Sequence, residues 1–215
     1  MNILALNCGS TTIKFGEREI DYTSPWPRLK YADLFAEHVG IPMTDIEAVR
    51  AKAGSLDYEQ SKMDDAVVVN TLFERYVEDK LVNPTFVLDY PAPLCPLTRR
   101  HPDDPNIALR FECFINGMEL GNAYTELNDP ALQRDTLGGG ALKGEDDETM
   151  AVMDEDFVQA LEYGMPPAGG LGIGIDRAVM LLTGSENIRD VILFPLQRPQ
   201  RGQGDEETRR RSDEE

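Results

Sequence analysis

The sequence predicts an α+β domain, an antiparallel β-sheet flanked by helices, and three observations predict it. Asn116-Gly117 stands between two alternating apolar runs, the strongest short signal for a β-hairpin. Upstream, Val67, Val68, Leu72, Tyr76 and Val77 recur at helical spacing. Downstream, Gly169-Gly170-Leu171-Gly172-Ile173-Gly174-Ile175-Asp176-Arg177 interleaves glycine with aliphatic residues and runs into an apolar helical stretch.

The elements follow in chain order. Residues 1–15, MNILALNCGSTTIKF, alternate apolar and small side chains as a strand does, and Gly16-Glu17 turns the chain into a second strand from Glu19 to Tyr22. Pro25 and Pro27 break the pattern, and Leu29, Ala32, Leu34, Phe35 and Val39 predict a helix that ends near Gly40. Thr44 caps the next helix, with Glu47 three residues on closing a capping box, and an amphipathic helix spans Met63 to Lys80. Thr85 to Tyr90 is a β-branched and aromatic strand stopped by Pro91, Pro93 and Pro96.

The hairpin strands run from Ala108 to Ile115 and from Met118 to Leu127. Residues 129–150 carry Gly138-Gly139-Gly140 and the acidic run Glu145-Asp146-Asp147-Glu148, which predict a helix interrupted by a mobile loop. A short helix covers Asp154 to Tyr163, and a last one, through Ala178 to Leu182, stops at Gly184. From Arg201 the chain is nearly all charged and small polar residues, the composition of a disordered tail. The expected division is therefore an amino-terminal strand at 1–15, one domain at 16–200 and a tail at 201–215.

Composition narrows the class. A chain of 215 residues can bury one core. No apolar run approaches the ~20 residues that span a bilayer, and the amino terminus lacks the basic-then-apolar order of a signal peptide, which places the chain in the cytoplasm. Cys8, Cys95 and Cys113 are far apart and odd in number, so they read as reduced thiols rather than a disulfide framework or zinc site. With only His38 and His101, any metal is a hard ion held by carboxylates. Lys+Arg number 21 against 39 Asp+Glu, so 21 − 39 = −18, a charge that opposes nonspecific attraction to nucleic acid.

The glycine segment has the wrong spacing for a dinucleotide fingerprint and lacks the Gly-Lys-Ser/Thr ending of a phosphate-wrapping loop. As a strand it puts Gly170, Gly172 and Gly174 on one face, bare backbone on which a flat ligand can lie. Glycines that accommodate a neighbouring helix would give the same pattern. In the hairpin, Asn122, Tyr124 and Glu126 share a face, a row of amide, ring and carboxylate suited to an ammonium group. Glu112 and Glu119 lie across the turn from each other, near enough to share a Mg²⁺ that bridges to phosphates. A solvent-facing polar strand remains the alternative.

Taken together, NPTFVLDYPAPLCPLTRR, RFECFINGMELGNAYTELNDP and DEDFVQALEYGMPPAGGLGIGIDRAVMLLTGSENIRDVILFP resemble the carboxy-terminal half of the catalytic domain of class II lysyl-tRNA synthetases, from about Thr11 to Pro199. The resemblance implies ATP, Mg²⁺ and lysine as ligands. It makes Arg177 the catalytic arginine that contacts ATP, lays the nucleotide over Gly172 and Gly174, gives Mg²⁺ and ATP to Glu112 and Glu119, and assigns lysine to Asn122, Tyr124 and Glu126. The implied reaction is attack of the lysine carboxylate on the α-phosphate, giving lysyl-adenylate and pyrophosphate, with alignment and charge neutralisation supplying the catalysis.

No counterpart of the family's anticodon-binding barrel, of its dimer-interface motif 1 or of its α-phosphate-gripping motif 2 precedes Gly16. The resemblance thus implies a truncated core that needs a complementing chain for turnover. A noncatalytic lysine or ATP-binding module, or a pseudoenzyme that regulates a full synthetase, is the other reading. It also predicts weak or no tRNA binding by this chain alone, and an exposed sheet edge that leaves a homo-oligomer and a complementing synthetase chain both open. Residues 1–15 separately resemble the opening strand and phosphate loop of acetate and butyrate kinases, through Asn7-Cys8-Gly9-Ser10-Thr11.

Overall fold

The structure is a computed structural model that describes residues 11–56, 63–138 and 153–194. Residues 1–10 of the amino-terminal segment, the interrupting loop expected after Gly138 and the charged tail lie outside the described residues. The remainder is an α+β fold with two sheets and six helices.

Strands β1 (Thr12–Phe15) and β2 (Arg18–Asp21) form an antiparallel hairpin, as the Gly16-Glu17 turn predicts. The second sheet has the order β3-β4-β5-β6-β7, with β3 (Arg28–Lys30), β4 (Thr85–Pro91), β5 (Ile107–Ile115), β6 (Met118–Thr125) and β7 (Gly169–Ile173). Four of the strands are antiparallel neighbours; β3 runs parallel to β4. Leu29 was expected to open a helix, yet it lies in β3, because a three-residue strand carries no periodicity of its own and is drawn out by pairing with β4.

The helices are α1 (Tyr31–Val39), α2 (Ile46–Gly54), α3 (Asp65–Tyr76), α4 (Pro130–Gly138), α5 (Glu155–Glu162) and α6 (Ile175–Thr183). The cap of α2 is Asp45 rather than Thr44: its side chain accepts from Ala48 N at 3.1 Å, a position a carboxylate satisfies as well as a hydroxyl. α3 buries Val68, Val69, Leu72 and Phe73, so its apolar stripe is turned by one residue from the expected face, and Val67 and Tyr76 are only half-buried. α5 begins at the Asp154 cap as expected.

Each face of the five-stranded sheet has its own core. Helices α1, α2 and α3 contribute Tyr31, Phe35, Val49, Leu72 and Phe73 to a cluster with Val87, Tyr90, Ala108 and Phe114 of β4 and β5. The other face joins Cys113 and Ile115 to Phe15 and Ile20 of the hairpin and to Met180 and Leu181 of α6. Cys95 and Cys113 are buried free thiols, as their spacing predicts; Cys8 lies outside the described residues. No helix among the described residues is long and apolar enough to cross a membrane.

Candidate functional site

Two departures from regular pairing build the site. The hairpin turns at Asn116 and Gly117, both at positive φ, the conformation that Asn-Gly adopts most readily. From there Ile115 pairs with Met118 and Phe114 with Glu119, but Cys113 pairs with Gly121. Leu120 is the extra residue of a β-bulge. Strict alternation would put Glu119 and Asn122, three apart, on opposite faces. The bulge brings them to the same face, where Asn122 Nδ2 donates to Glu119 Oε1 at 2.6 Å.

The second departure is in β4. Val87 pairs with Glu112 and Leu88 with Phe111, and the register then shifts so that Tyr90 pairs with Ala108. The residue between, Asp89, has φ +60°, a left-handed conformation uncommon for a residue with a side chain. Val87 and Tyr90, also three apart, consequently share the helix-side core. There Tyr90 Oη donates to Glu112 Oε2 at 2.6 Å.

These pairings assemble the face the sequence singled out. Asn122 pairs with Glu112 on one side and Gly172 on the other; Tyr124 pairs with Arg110 and Gly170. All five predicted hairpin residues, Glu112, Glu119, Asn122, Tyr124 and Glu126, lie on or at the end of this face, beside the glycine strand. A Cβ on Gly170 would fall 2.5 Å from Glu126 Oε1 and 3.8 Å from Tyr124 Cζ, so that glycine is the one over which ring and carboxylate converge. Gly172 is open, with Asn122 Oδ1 the nearest atom at 3.9 Å, and Gly174 lies against the stem of Arg177. Arg177, in the first turn of α6, donates to the Glu119 carbonyl at 2.6 Å, and its guanidinium is 3.8 Å from Glu119 Oε2.

Five further polar residues, not singled out from the sequence, line the site. A cavity of ≈ 210 Å³ is lined by Asn70 and Glu74 of α3, Glu78 of the turn after it, and Tyr90, Arg110, Glu112 and Glu119 among others. A second, of ≈ 380 Å³, adjoins it at Glu78 and Glu119 and reaches Gly117 and Arg177. Arg110 had a signal available, since it shares the parity of Glu112 two residues on. Its guanidinium stands over the Tyr90 ring, 5.1 Å from the centroid, and ion-pairs with Glu112 Oε1. Glu74 and Glu78 had none, because folding alone brings α3 to this end of the sheet.

Burial governs the charges. It raises the Glu112 carboxyl above its ordinary value, even though Arg110 and the Tyr90 hydroxyl oppose it. Glu78 is pushed up to about 7, first by burial and then by Glu74, Glu112 and Glu119. Burial likewise carries the Tyr90 hydroxyl well above its usual range, so it is a fixed donor to Glu112.

The donor set fits Mg²⁺ carried by a nucleotide. Glu112 and Glu119 are hard oxygen donors on one cavity wall, and each Glu112 oxygen keeps a lone pair after accepting one hydrogen bond. Among the described residues no group of three or more His, Cys, Asp or Glu is arranged to hold a metal ion. A site with two carboxylates suits an ion that keeps its waters and phosphate ligands, not an all-protein cage.

The α+β sheet, with its polar row on one face and a glycine strand leading to an arginine, is that of a known family. The profile of class II tRNA synthetases (D, K and N) matches residues 5–198, and the chain belongs to that family. It is 47% identical over 201 residues to the lysine–tRNA ligase of Clostridium tetani (strain Massachusetts / E88), covering 89% of this chain and 40% of that protein. The lysine–tRNA ligase of Moorella thermoacetica (strain ATCC 39073 / JCM 9320) is 47% identical over 196 residues, with 89% and 40% covered. That of Chloroflexus aurantiacus (strain ATCC 29366 / DSM 635 / J-10-fl) is 48% identical over 198, with 87% and 39% covered. The chain thus spans about 40% of the length of these relatives.

Proposed function

We propose that this chain is a lysine-tRNA ligase-like cytoplasmic protein that binds lysine and ATP and takes part in forming lysyl-adenylate. The region 16–200 is its catalytic-domain portion. The observation that carries the reading is the convergence of Tyr124 and Glu126 over Gly170, beside Asn122 and Glu119, on the face that ends in Arg177.

In this reading Glu126 takes the ammonium charge of lysine, Tyr124 lies along its alkyl stem and Asn122 orients it. The bare backbone of Gly172 and Gly174 receives the nucleotide, and Arg177 neutralises its phosphate charge. Glu112 and Glu119 hold Mg²⁺, which when bound offsets charge on the pyrophosphate leaving group. Attack of the lysine carboxylate on the α-phosphate forms the mixed anhydride and breaks the bond to pyrophosphate. No protein nucleophile is needed; alignment and fixed charge lower the barrier.

Among the described residues two cationic side chains, Arg110 and Arg177, line the two cavities, and each is already engaged, by Glu112 and by Glu119. That engagement favours a second reading, binding without turnover, in which the chain needs a complementing synthetase chain or acts as a noncatalytic module. By its net charge of −18 it binds tRNA weakly alone. The deciding experiment is lysine-dependent exchange of labelled pyrophosphate into ATP, with the purified chain alone and with cell extract. Exchange that falls by roughly 10²–10³ in Arg177→Ala establishes the enzyme reading. Lysine binding without exchange leaves the binding module, and binding of neither lysine nor ATP removes both.

A further inference from the structure

Glu112 is the most enclosed of the carboxylates on the site face, 8% exposed, and both of its oxygens are engaged from within the protein. Arg110 reaches Oε1 from the same strand, as alternation allows. Tyr90 reaches Oε2 only because β4 departs from alternation. Its parity with Val87, which pairs with Glu112, would otherwise place the ring in the opposite core. The departure is localised at one residue, Asp89, at φ +60°, whose carboxylate is tied to Lys30 of β3 at 3.1 Å. A non-glycine residue costs free energy in that conformation, and register shifts of this kind re-aim side chains next to sites.

We propose that Asp89 and Tyr90 form a positioning device: the left-handed turn at Asp89 delivers the Tyr90 hydroxyl to Glu112, which, with Arg110, fixes the Glu112 carboxylate in one orientation on the cavity wall it shares with Glu119, ready for a nucleotide-borne divalent cation. The inference rests on the reading above, in which Glu112 and Glu119 are the cation's ligands. It assigns Tyr90 and Asp89 no contact with substrate. The role is orientation alone: a carboxylate free to rotate loses affinity for a metal, and removing such a supporting hydrogen bond typically weakens metal binding ~10- to 100-fold.

The test uses the full chain, Mn²⁺ as the cation and ATP as its carrier, with bound Mn²⁺ read by the loss of the free-ion electron paramagnetic resonance signal. Glu112→Gln sets the background from the many surface carboxylates. Tyr90→Phe keeps the ring that packs against Tyr31 and Arg110, and is expected to weaken ATP-dependent Mn²⁺ binding by about tenfold. Asp89→Gly, which adopts the left-handed turn freely, is expected to bind as the unaltered chain does; Asp89→Val, which resists that turn, is expected to bind as Tyr90→Phe does. Tyr90→Phe binding Mn²⁺ as tightly as the unaltered chain overturns the device while leaving the ligand assignment intact. Equal losses in Asp89→Gly and Asp89→Val overturn the part assigned to the turn. An unaltered chain that takes up no more Mn²⁺ with ATP than Glu112→Gln does removes the ligand assignment itself, and the device with it.

Discussion

One face of the five-stranded sheet is packed at β4 and β5 and open at β6 and β7. Under the helices, Val87, Ala108 and Phe114 are buried, and Tyr31 stacks on Phe73 with ring centroids 3.9 Å apart. Eight residues of β6 are all half-buried, and β7 is largely exposed, with Leu171 at 68% and Ile173 at 55% on its far side. The two halves belong to one sheet and are joined by the β5–β6 hydrogen bonds, but do different work. The packed half supplies the stability that lets the open half keep charged and polar side chains poorly buried and close together, an arrangement that would not hold itself in place.

The sharpest way to separate the halves is Phe73→Ala in the packed one. Phe73 is 1% exposed, so the change should cost ~3–5 kcal/mol in urea unfolding, while leaving the lysine affinity of the molecules that remain folded unchanged. A small loss would mean that the helical layer is not what holds the sheet.

Gly170→Ala tests the open half. The new methyl carbon would stand 2.5 Å from Glu126 Oε1, the far end of a side chain that can swing aside, so unfolding should change by less than ~0.5 kcal/mol. The displaced carboxylate should cost roughly tenfold in lysine affinity by calorimetry, about 1.4 kcal/mol. Gly172→Ala, with open space at that position, should spare lysine binding. Equal effects at the two glycines would mean that the row does not converge at Gly170.

The smallest expected effect lies where the halves meet, at Glu78. Its folded pKa of about 7 is above its ordinary value, so the folded state holds the proton more tightly than the unfolded chain. The stabilisation is complete below the ordinary carboxylate range and is lost as pH rises through about 7. Melting temperature should therefore fall between pH 5 and pH 8 more steeply in the unaltered chain than in Glu78→Gln, a difference that thermal scans across ~3 pH units would reveal. Parallel pH profiles would show that Glu78 keeps its charge throughout and that the boundary is wetter than its burial implies.

Much of this was legible in advance. The Asn116-Gly117 turn, the alternation of the hairpin strands and the glycine strand are local signals: they group Asn122, Tyr124 and Glu126 on one face of their strand and Gly170, Gly172 and Gly174 on one face of theirs, and only the strand pairing joins the two groups to Glu112. Glu119 lines the same cavity as Glu112, and its place beside Asn122 depends on the bulge at Leu120, which no residue type demands. Tyr90 was read only as part of a strand, because an aspartate at positive φ is unremarkable in a sequence. Asn70, Glu74 and Glu78 were invisible as site residues, since a helical face shows what it buries but not which sheet it meets.

The sequence by itself determined the elements other than β3, their order, the turn and the chemical character of the row, since each follows from the backbone preferences and side-chain periodicity of residues near one another. Only the tertiary structure decided which carboxylates face each other and how they are charged. Register shifts at Asp89 and Leu120 reverse the parity that alternation predicts, and the burial that raises Glu78 comes from α3 and the strands together. Both effects arise from long-range pairing and from exclusion of water, neither of which is a property of any short stretch of chain.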